Sequence, residues 1–343
     1  MMNHKRYPTV SVLIPTLNAA RVLEQCLVSV RQQAYPPSRL EIIIADGGST
    51  DGTLRLAKKY QTKVFKNPYK TGEAGKAIAL SRAKGEIVAL IDSDNVLPTK
   101  NWLAKMVQPF ADAEVVGSEP WAYTYRRRDG FIDRYCALTG VGDPLCLFLG
   151  NYDRQSLLTG KWTGLPMRQE DKKTWLKVTL EKGRVPTIGA NGTMLRRRFL
   201  QAGSFAKNYL VDIDILAKAI NQKPLKFAKV KIGIVHLYCG RNINNFIRKQ
   251  KRRVKDYYYY QAIGVRQYPW QQQDFGGIIK FGLFCLTVVP LFYQVAKGFL
   301  KKADSAWFFH PLACWLTLVI YATGTIKGKI FKRQQMDRSR WKQ

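Results

Sequence analysis

Two short apolar runs, each ending in aspartate, constrain the fold of this chain more than any other feature. Residues 87–91 run straight into Asp92-Ser93-Asp94, and residues 40–45 into Asp46, after which Gly47-Gly48-Ser49-Thr50-Asp51-Gly52-Thr53 forms a turn. An uninterrupted apolar run of this length, bounded by turn residues, fits a strand buried on both faces in a parallel sheet covered by helices. The surrounding residues alternate accordingly. Strands are expected over 10–14, 63–66 and 114–117, and helices over 20–33, 52–60, 74–83 and 102–110, the first with Val22, Cys26, Leu27 and Val30 on one face. Right-handed crossovers put the carboxyl ends of such strands on one side, where open α/β sheets bind ligands. Asp46, Asp92 and Asp94 are therefore expected at one sheet edge. So much negative charge calls for a cation, most simply a divalent ion bridging to a phosphate-bearing ligand.

Beyond residue 120 the pattern weakens. Residues 123–186 read as an irregular helical and loop insertion over that edge. Structure resumes at Thr187-Ile188-Gly189-Ala190-Asn191-Gly192, followed by a helix near Arg197, a helix over 209–220 with Asp212 and Asp214 at its start, and a strand over 230–235 ending at His236. Residues 244–260 read as a basic amphipathic helix suited to a headgroup layer.

The chain carries 56 Lys and Arg against 24 acidic residues, a formal charge of +32, which points to a polyanion. Distribution selects a membrane over a nucleic acid. Seven basic residues and no acid fall in 241–255, seven basic and one acid in 327–342, and these bracket two apolar stretches, 276–296 and 306–326. Each stretch is about 20 residues, enough for a hydrocarbon core of about 30 Å. The strongly basic flanks place the main domain and C-terminus in the cytoplasm, with the short loop 297–305 on the opposite side. Buried core helices, or a hairpin lying in the interface, are the competing readings, favoured by Lys280, Gly282 and Pro290. No apolar segment precedes the first strand, so no signal peptide is expected. Six cysteines without a CxxC pair and three histidines suggest reduced thiols and no zinc site.

In order and spacing, Ser11-Val12-Leu13-Ile14-Pro15-Thr16-Leu17-Asn18, Ala45-Asp46-Gly47-Gly48-Ser49-Thr50-Asp51-Gly52-Thr53 and Asp92-Ser93-Asp94 resemble glycosyltransferase family 2. The resemblance covers about residues 8–240 and implies the GT-A fold, an α/β, Rossmann-like, mostly parallel sheet with flanking helices. It implies a catalytic domain over 1–240, with a donor half at 1–120 and an acceptor half at 121–240. A basic interfacial helix at 241–270 and a membrane helical hairpin with a basic tail at 271–343 would follow. It also implies that Pro15, Thr16 and Asn18 line the nucleotide pocket, that Asp46 meets the base and Asp92 the ribose, and that Asp94 ligates Mg²⁺ or Mn²⁺. Val211-Asp212-Ile213-Asp214 is similar to the family's Glu-Asp signature, with Val where the Glu stands, which makes Asp212 the candidate general base. His236 resembles the histidine some members bring to the metal. Gln250-Lys251-Arg252-Arg253 resembles the Gln-x-x-Arg motif, which makes Arg253 a diphosphate ligand, although a membrane-facing charge fits equally. Gly189-Ala190-Asn191 resembles the acceptor-side loop. Lys76, read as part of a Gly75-Lys76 turn, is a further phosphate candidate. The chain departs from the family at Ala19, Gly47 and Val254, where Glu, Asp and Trp are common.

The resulting expectation is an inverting transferase that moves a sugar from a nucleotide diphosphate, UDP in the first instance, to a lipid-linked or saccharide acceptor at the cytoplasmic membrane face. Anionic lipids are its surface partner, and nucleic acid is not a partner. The alternatives are a polyprenyl-phosphate glycosyltransferase, an inactive membrane scaffold, and a basic nucleic-acid-binding protein.

Overall fold

The computed structural model describes residues 7–202, 209–266, 268 and 275–330, and the chain divides into two compact units. The first comprises the described residues of 1–121 with 166–236, the second those of 122–165 with 237–337. Residues 122–165, placed by sequence in the acceptor half, thus pack with the C-terminal helices.

The N-terminal unit follows the alternation of its sequence. In chain order it runs β1 (Val10–Thr16), α1 (Ala20–Arg31), β2 (Leu40–Asp46), α2 (Thr53–Lys59), β3 (Lys63–Lys66), α3 (Gly72–Arg82), β4 (Ile87–Ile91), β5 (Asn95–Val96), α4 (Trp102–Val107) and β6 (Val115–Tyr123). After α5 (Phe131–Thr139) and α6 (Leu145–Leu149) of the other unit come β7 (Arg168–Asp171), β8 (Trp175–Leu180), β9 (Asn191–Arg196), α7 (Arg197–Ala202), α8 (Asp212–Ile220) and β10 (Leu225–His236). The apolar strands are sealed: every residue of β4 is buried. The buried face of α1 runs through Leu23, Cys26, Leu27 and Val30, so Leu23 rather than Val22 completes it.

Strand order is β3-β2-β1-β4-β9-β6-β10-β8-β7, with β5 paired to β10. The β3-β2-β1-β4 portion is parallel; β9 runs antiparallel to β4 and β6, and β8 antiparallel to β10 and β7. The sheet is therefore mixed, with its parallel part at the N-terminal half. Four of its strands, β5, β7, β8 and β9, lie where sequence showed none.

Register decides what meets at the active edge. Thr16 lies beside Asp46 at the ends of β1 and β2, and Leu13 beside Leu90, one turn of the pleat before Asp92. Antiparallel β9 starts where β4 stops, with Ile91 opposite Asn191 and Leu90 opposite Thr193, so Gly192 is the extra residue of a β-bulge. Gly192 has φ +87, and a Cβ there would lie 2.8 Å from Ile234 Cδ1 and 3.1 Å from Trp102. The bulge holds Asn191 at the edge, and β5 pairs Asn95 with His236 beside it.

In the second unit, α5 and α6 pack with α9 (Ile243–Ala262), α10 (Phe275–Thr287), α11 (Val289–Lys301) and α12 (Phe309–Ile330). Tyr135, Phe246, Trp307 and Phe309 centre its core, with Phe309 edge-to-face against both Tyr135 and Phe246. The first apolar stretch is not one helix. It breaks at Val288 into α10 and α11, bent by 94°. Val288 adopts φ 60, a left-handed conformation rare for a β-branched residue, and Pro290, without an amide proton, sits in the first turn of α11. By length and composition, one helix among the described residues could cross a membrane, Ser305–Gly328. The basic tail at 331–343, and residues 267 and 269–270 of the expected interfacial segment, lie outside the described residues.

Gly192→Ala should lower unfolding free energy by about 1–3 kcal/mol, the range for a strained left-handed residue with a close contact. Chemical denaturation checks this, and an unchanged midpoint would contradict the bulge's role.

Candidate active site

Asp46 and Asn18 organise the loops that end β1 and β2. The Asp46 carboxylate accepts from the amides of Gly48 and Ser49 at 2.9 and 2.8 Å, from Ser49 Oγ at 2.6 Å and from Thr16 Oγ1 at 2.8 Å. Asn18, at φ 50, takes the Thr50 amide on its side-chain oxygen at 2.8 Å, while its own amide donates to Ser49 Oγ at 2.8 Å. Pro15 and Thr16 form the last residues of β1 on the same edge. Asp51 accepts from the amides of Thr53 and Ala20, joining the start of α2 to α1; this is turn and cap chemistry. Ser49, which ties the two loops together, was not singled out by sequence, where a serine in a Gly-rich turn carries no distinguishing signal.

Asp92-Ser93-Asp94 forms the turn after β4. The Asn95 side chain accepts from the Asp92 amide at 3.0 Å, the Asn95 amide donates to the Asp92 carbonyl at 2.9 Å, and Asn95 Nδ2 donates to Asn191 Oδ1 at 3.0 Å. Asn95 therefore links the acidic turn to the Gly189-Ala190-Asn191 loop. Only its position after the acids could have indicated it in the sequence. Gly189 accepts from the Thr193 hydroxyl and Ala190 from the Gly192 amide, which fixes that loop onto the bulge.

Asp94 Oδ2 lies 3.6 Å from His236 Nε2, and both side chains are about nine-tenths buried. A carboxylate oxygen beside an imidazole nitrogen is a donor pair that Mn²⁺ accepts readily, whereas Mg²⁺ favours the carboxylate. Among the described residues no group of three or more His, Cys, Asp or Glu side chains could hold a metal ion. These two residues fit a cation whose remaining ligands come from a bound diphosphate and water, as divalent ions at phosphate sites commonly are held.

Lys76 stands in α3 rather than in a turn, and its ammonium lies 3.5 Å from Asp212 Oδ1 at the start of α8. Both residues are buried. α3 comes close enough because residue 75 is glycine: a Cβ there would be 2.8 Å from Pro15 Cβ. The Asp212 carboxyl is pushed up to about 6, mainly by burial, with Lys76 opposing the rise and the charge of Asp92 adding to it. Burial disfavours the Lys76 ammonium, but Asp212, Asp92 and Glu73 outweigh that and hold its pKa above the ordinary value. Lys76, Asp92 and Asp212 thus share one electrostatic environment although 136 residues separate the outer two.

Asp214 accepts from the Tyr209 hydroxyl. Arg253 belongs to the second unit, where it donates to the Gly142 carbonyl at 2.9 Å and to Gln250 Oε1 at 3.0 Å and lies 3.8 Å from Asp143. Burial disfavours its charge, and the surrounding Tyr238 and Asp143 more than offset that.

Residues 11–147 match the family model for glycosyl transferase family 2. The chain is 29% identical over 142 residues to Glycosyltransferase AglE of Haloferax volcanii, a match covering 39% of this chain and 46% of that protein. It is 34% identical over 93 residues to the poly(ribitol-phosphate) beta-N-acetylglucosaminyltransferase TarS of Staphylococcus aureus, covering 25% of this chain and 16% of that one. The matched segments thus span less than half of either relative's length. The solved mannosyltransferase PcManGT of Pyrobaculum calidifontis, a complex with GDP-Man and Mn²⁺, superposes with a TM-score of 0.55 at 17% identity over 97% of this chain and 90% of that one. At that identity the likeness concerns the fold, which is GT-A.

The raised Asp212 pKa gives a stability prediction of definite sign. A carboxyl that binds its proton more tightly when folded contributes stability below its unfolded pKa near 3.9 and loses it as pH rises through about 6. Between pH 4 and 7 Asp212→Asn should therefore gain stability relative to the parent, by up to about 3 kcal/mol. Paired denaturation curves across that range check it, and a constant difference would contradict it.

Proposed function

The chain is a member of glycosyltransferase family 2, its family domain lying at residues 11–147, and on that premise we propose that it is an inverting transferase that moves a sugar from a nucleotide diphosphate to a lipid-linked or saccharide acceptor at the cytoplasmic membrane face. The observation that carries the reading is the convergence of Asp94 with His236, and of Lys76 with Asp212, beyond the carboxyl ends of the parallel strands. Ligands bind there in open α/β sheets because strand order reverses about β1.

The roles follow from charge and position. Pro15, Thr16, Asn18 and Asp46 lie on the β1 and β2 side and form the wall for the nucleoside; Asp92 faces its ribose. Asp94 and His236 would hold Mg²⁺ or Mn²⁺, which would supply positive charge to offset that growing on the diphosphate as the glycosidic bond breaks. UDP is the first donor nucleotide to test. Gly189, Ala190 and Asn191 border the acceptor, since backbone without bulky side chains permits close approach.

Asp212 takes the proton of the attacking acceptor hydroxyl while the new bond forms at the anomeric carbon and the bond to the diphosphate breaks on the opposite face. One displacement inverts that centre. A carboxylate titrating near 6 is about a hundredfold more basic than an ordinary aspartate yet still mostly ionised at pH 7. Lys76 keeps it so by favouring the charged form. The same ammonium supports a second reading, transfer to a polyprenyl phosphate, because it offers a cation to an anionic acceptor that needs no base.

Asp94→Ala should reduce metal-dependent donor turnover in membranes by about 10³-fold or more, a range familiar for removal of a metal ligand or an equivalent charge stabiliser; undiminished transfer contradicts the site. Asp212→Asn distinguishes the acceptors: a loss of about 10²–10⁴ supports a hydroxyl acceptor, and a near-normal rate supports a phosphate. With a hydroxyl acceptor, kcat/KM should rise with pH through about 6, and Lys76→Met should move that limb to higher pH.

A further inference from the structure

The second unit carries an exposed apolar surface on helices too short or too tightly packed to stand apart from it. Its α10 and α11 are 13 residues each, about 20 Å long at 1.5 Å per residue, against a hydrocarbon core of about 30 Å. Bent by 94° at Val288, they do not form one straight span. Their inner faces are occupied. Phe281, Cys285 and Leu291 pack with Cys314, Leu145 and Phe148, and a Cβ on Gly277 would lie 2.6 Å from the Phe148 carbonyl oxygen. Their outer faces are apolar and exposed, with Leu286, Val289, Phe292 and Tyr293 each more than half accessible. In α12 and the turn before it, Phe308, Leu312, Trp315, Val319 and Ile326 continue this surface as a single stripe at helical spacing.

The loop expected across the membrane is bonded to residues 125–157 of the same unit. Asp304 accepts from Arg134 Nε at 3.0 Å and from the Tyr125 hydroxyl, Lys302 lies 3.4 Å above the Tyr125 ring, and Lys301 donates to the Leu157 carbonyl at 2.7 Å. A hairpin of two spans would carry this loop about 30 Å from residues 125–157. Nor does α12 stand free. Its glycines seat it along the basic α9: a Cβ on Gly324 would be 2.6 Å from Val254 Cγ1, and one on Gly328 2.2 Å from Tyr258 Cδ2. A crossing α12 would draw the cations of α9 into hydrocarbon, where they are strongly disfavoured.

Charge identifies the occupant of the apolar face. Between α9 and α12 lies a cavity of about 320 Å³ lined by Lys251, Lys255 and Lys327 together with Val254 and Thr323. All three lysines are exposed. We propose that α9, α10, α11 and α12 form a one-sided platform that sits in a single leaflet of an anionic bilayer without crossing it. Leu286, Val289 and Phe292 enter the acyl boundary, and Lys251, Lys255 and Lys327 gather lipid phosphates in the groove. This deepens the membrane placement proposed above and is independent of the transfer chemistry.

Two measurements on the full chain test it. The six native cysteines are all buried, so Ala303→Cys and Arg128→Cys can be labelled singly with a membrane-impermeant maleimide in sealed spheroplasts and in inverted vesicles. Both positions should react from the same side; reaction from opposite sides overturns the proposal. Purified protein should sediment with vesicles containing phosphatidylglycerol, and the triple variant K251E/K255E/K327E should bind them more weakly by on the order of a hundredfold. Equal binding of parent and triple variant to the phosphatidylglycerol vesicles, or a lipid-free dimer that does not sediment, overturns it, the second by assigning the apolar face to another copy. Neither assay contains donor or acceptor. Normal vesicle binding without sugar transfer would therefore count against the proposed function alone, and transfer without vesicle binding against the platform alone.

Discussion

The parallel register of β1 with β2 and β4 is the constraint on which the site depends. It sets Thr16 beside Asp46 and brings the turn after β4 to the same edge. With neighbouring strands about 4.8 Å apart, the ends of β2 and β4 lie about 10 Å from each other across β1, a span suited to an extended nucleoside diphosphate. A one-residue slip would exchange the two faces of a strand. The buried aliphatic residues of β1, β2 and β4 forbid it, so the core that stabilises the sheet also fixes the acids.

Each carboxylate at this edge has a different environment, on which the roles proposed for them rest. Asp46 spends its oxygens on four donors of its own loop and on β1, which makes it an organiser of the pocket wall. Asp94 faces an imidazole. Asp212 is buried against an ammonium, which keeps it ionisable where burial alone would protonate it. The bulge at Gly192 and the Asn95–Asn191 bond connect the antiparallel half of the sheet to the acidic turn. The mixed character of the sheet is thus part of the site's construction.

What could be read from the sequence followed from periodicity. β1, β2 and β4 are apolar runs matching their burial, and acids end or follow β2 and β4. β7 (Arg168–Asp171) is exposed at every residue, so no alternation marks it. β9 begins with a glycine bulge, and β10 carries Lys229 completely buried against Glu119 of β6 at 2.7 Å, which interrupts the apolar pattern and left only its second half visible. The Lys76–Asp212 pair is a product of tertiary packing and has no local signal. Hydropathy alone showed two apolar stretches long enough to span a membrane; the break at Val288 and the anchoring of Asp304 are packing facts that composition does not contain.

The central claim is that Asp94 and His236 together hold a divalent cation on the donor diphosphate. Electron spin-echo spectroscopy of Mn²⁺ bound to the protein with a nucleoside diphosphate measures this directly through coupling to a ligating nitrogen. The account predicts a histidine nitrogen signal that disappears in His236→Gln. A bound Mn²⁺ with no nitrogen coupling, or coupling that persists in that variant, would contradict it.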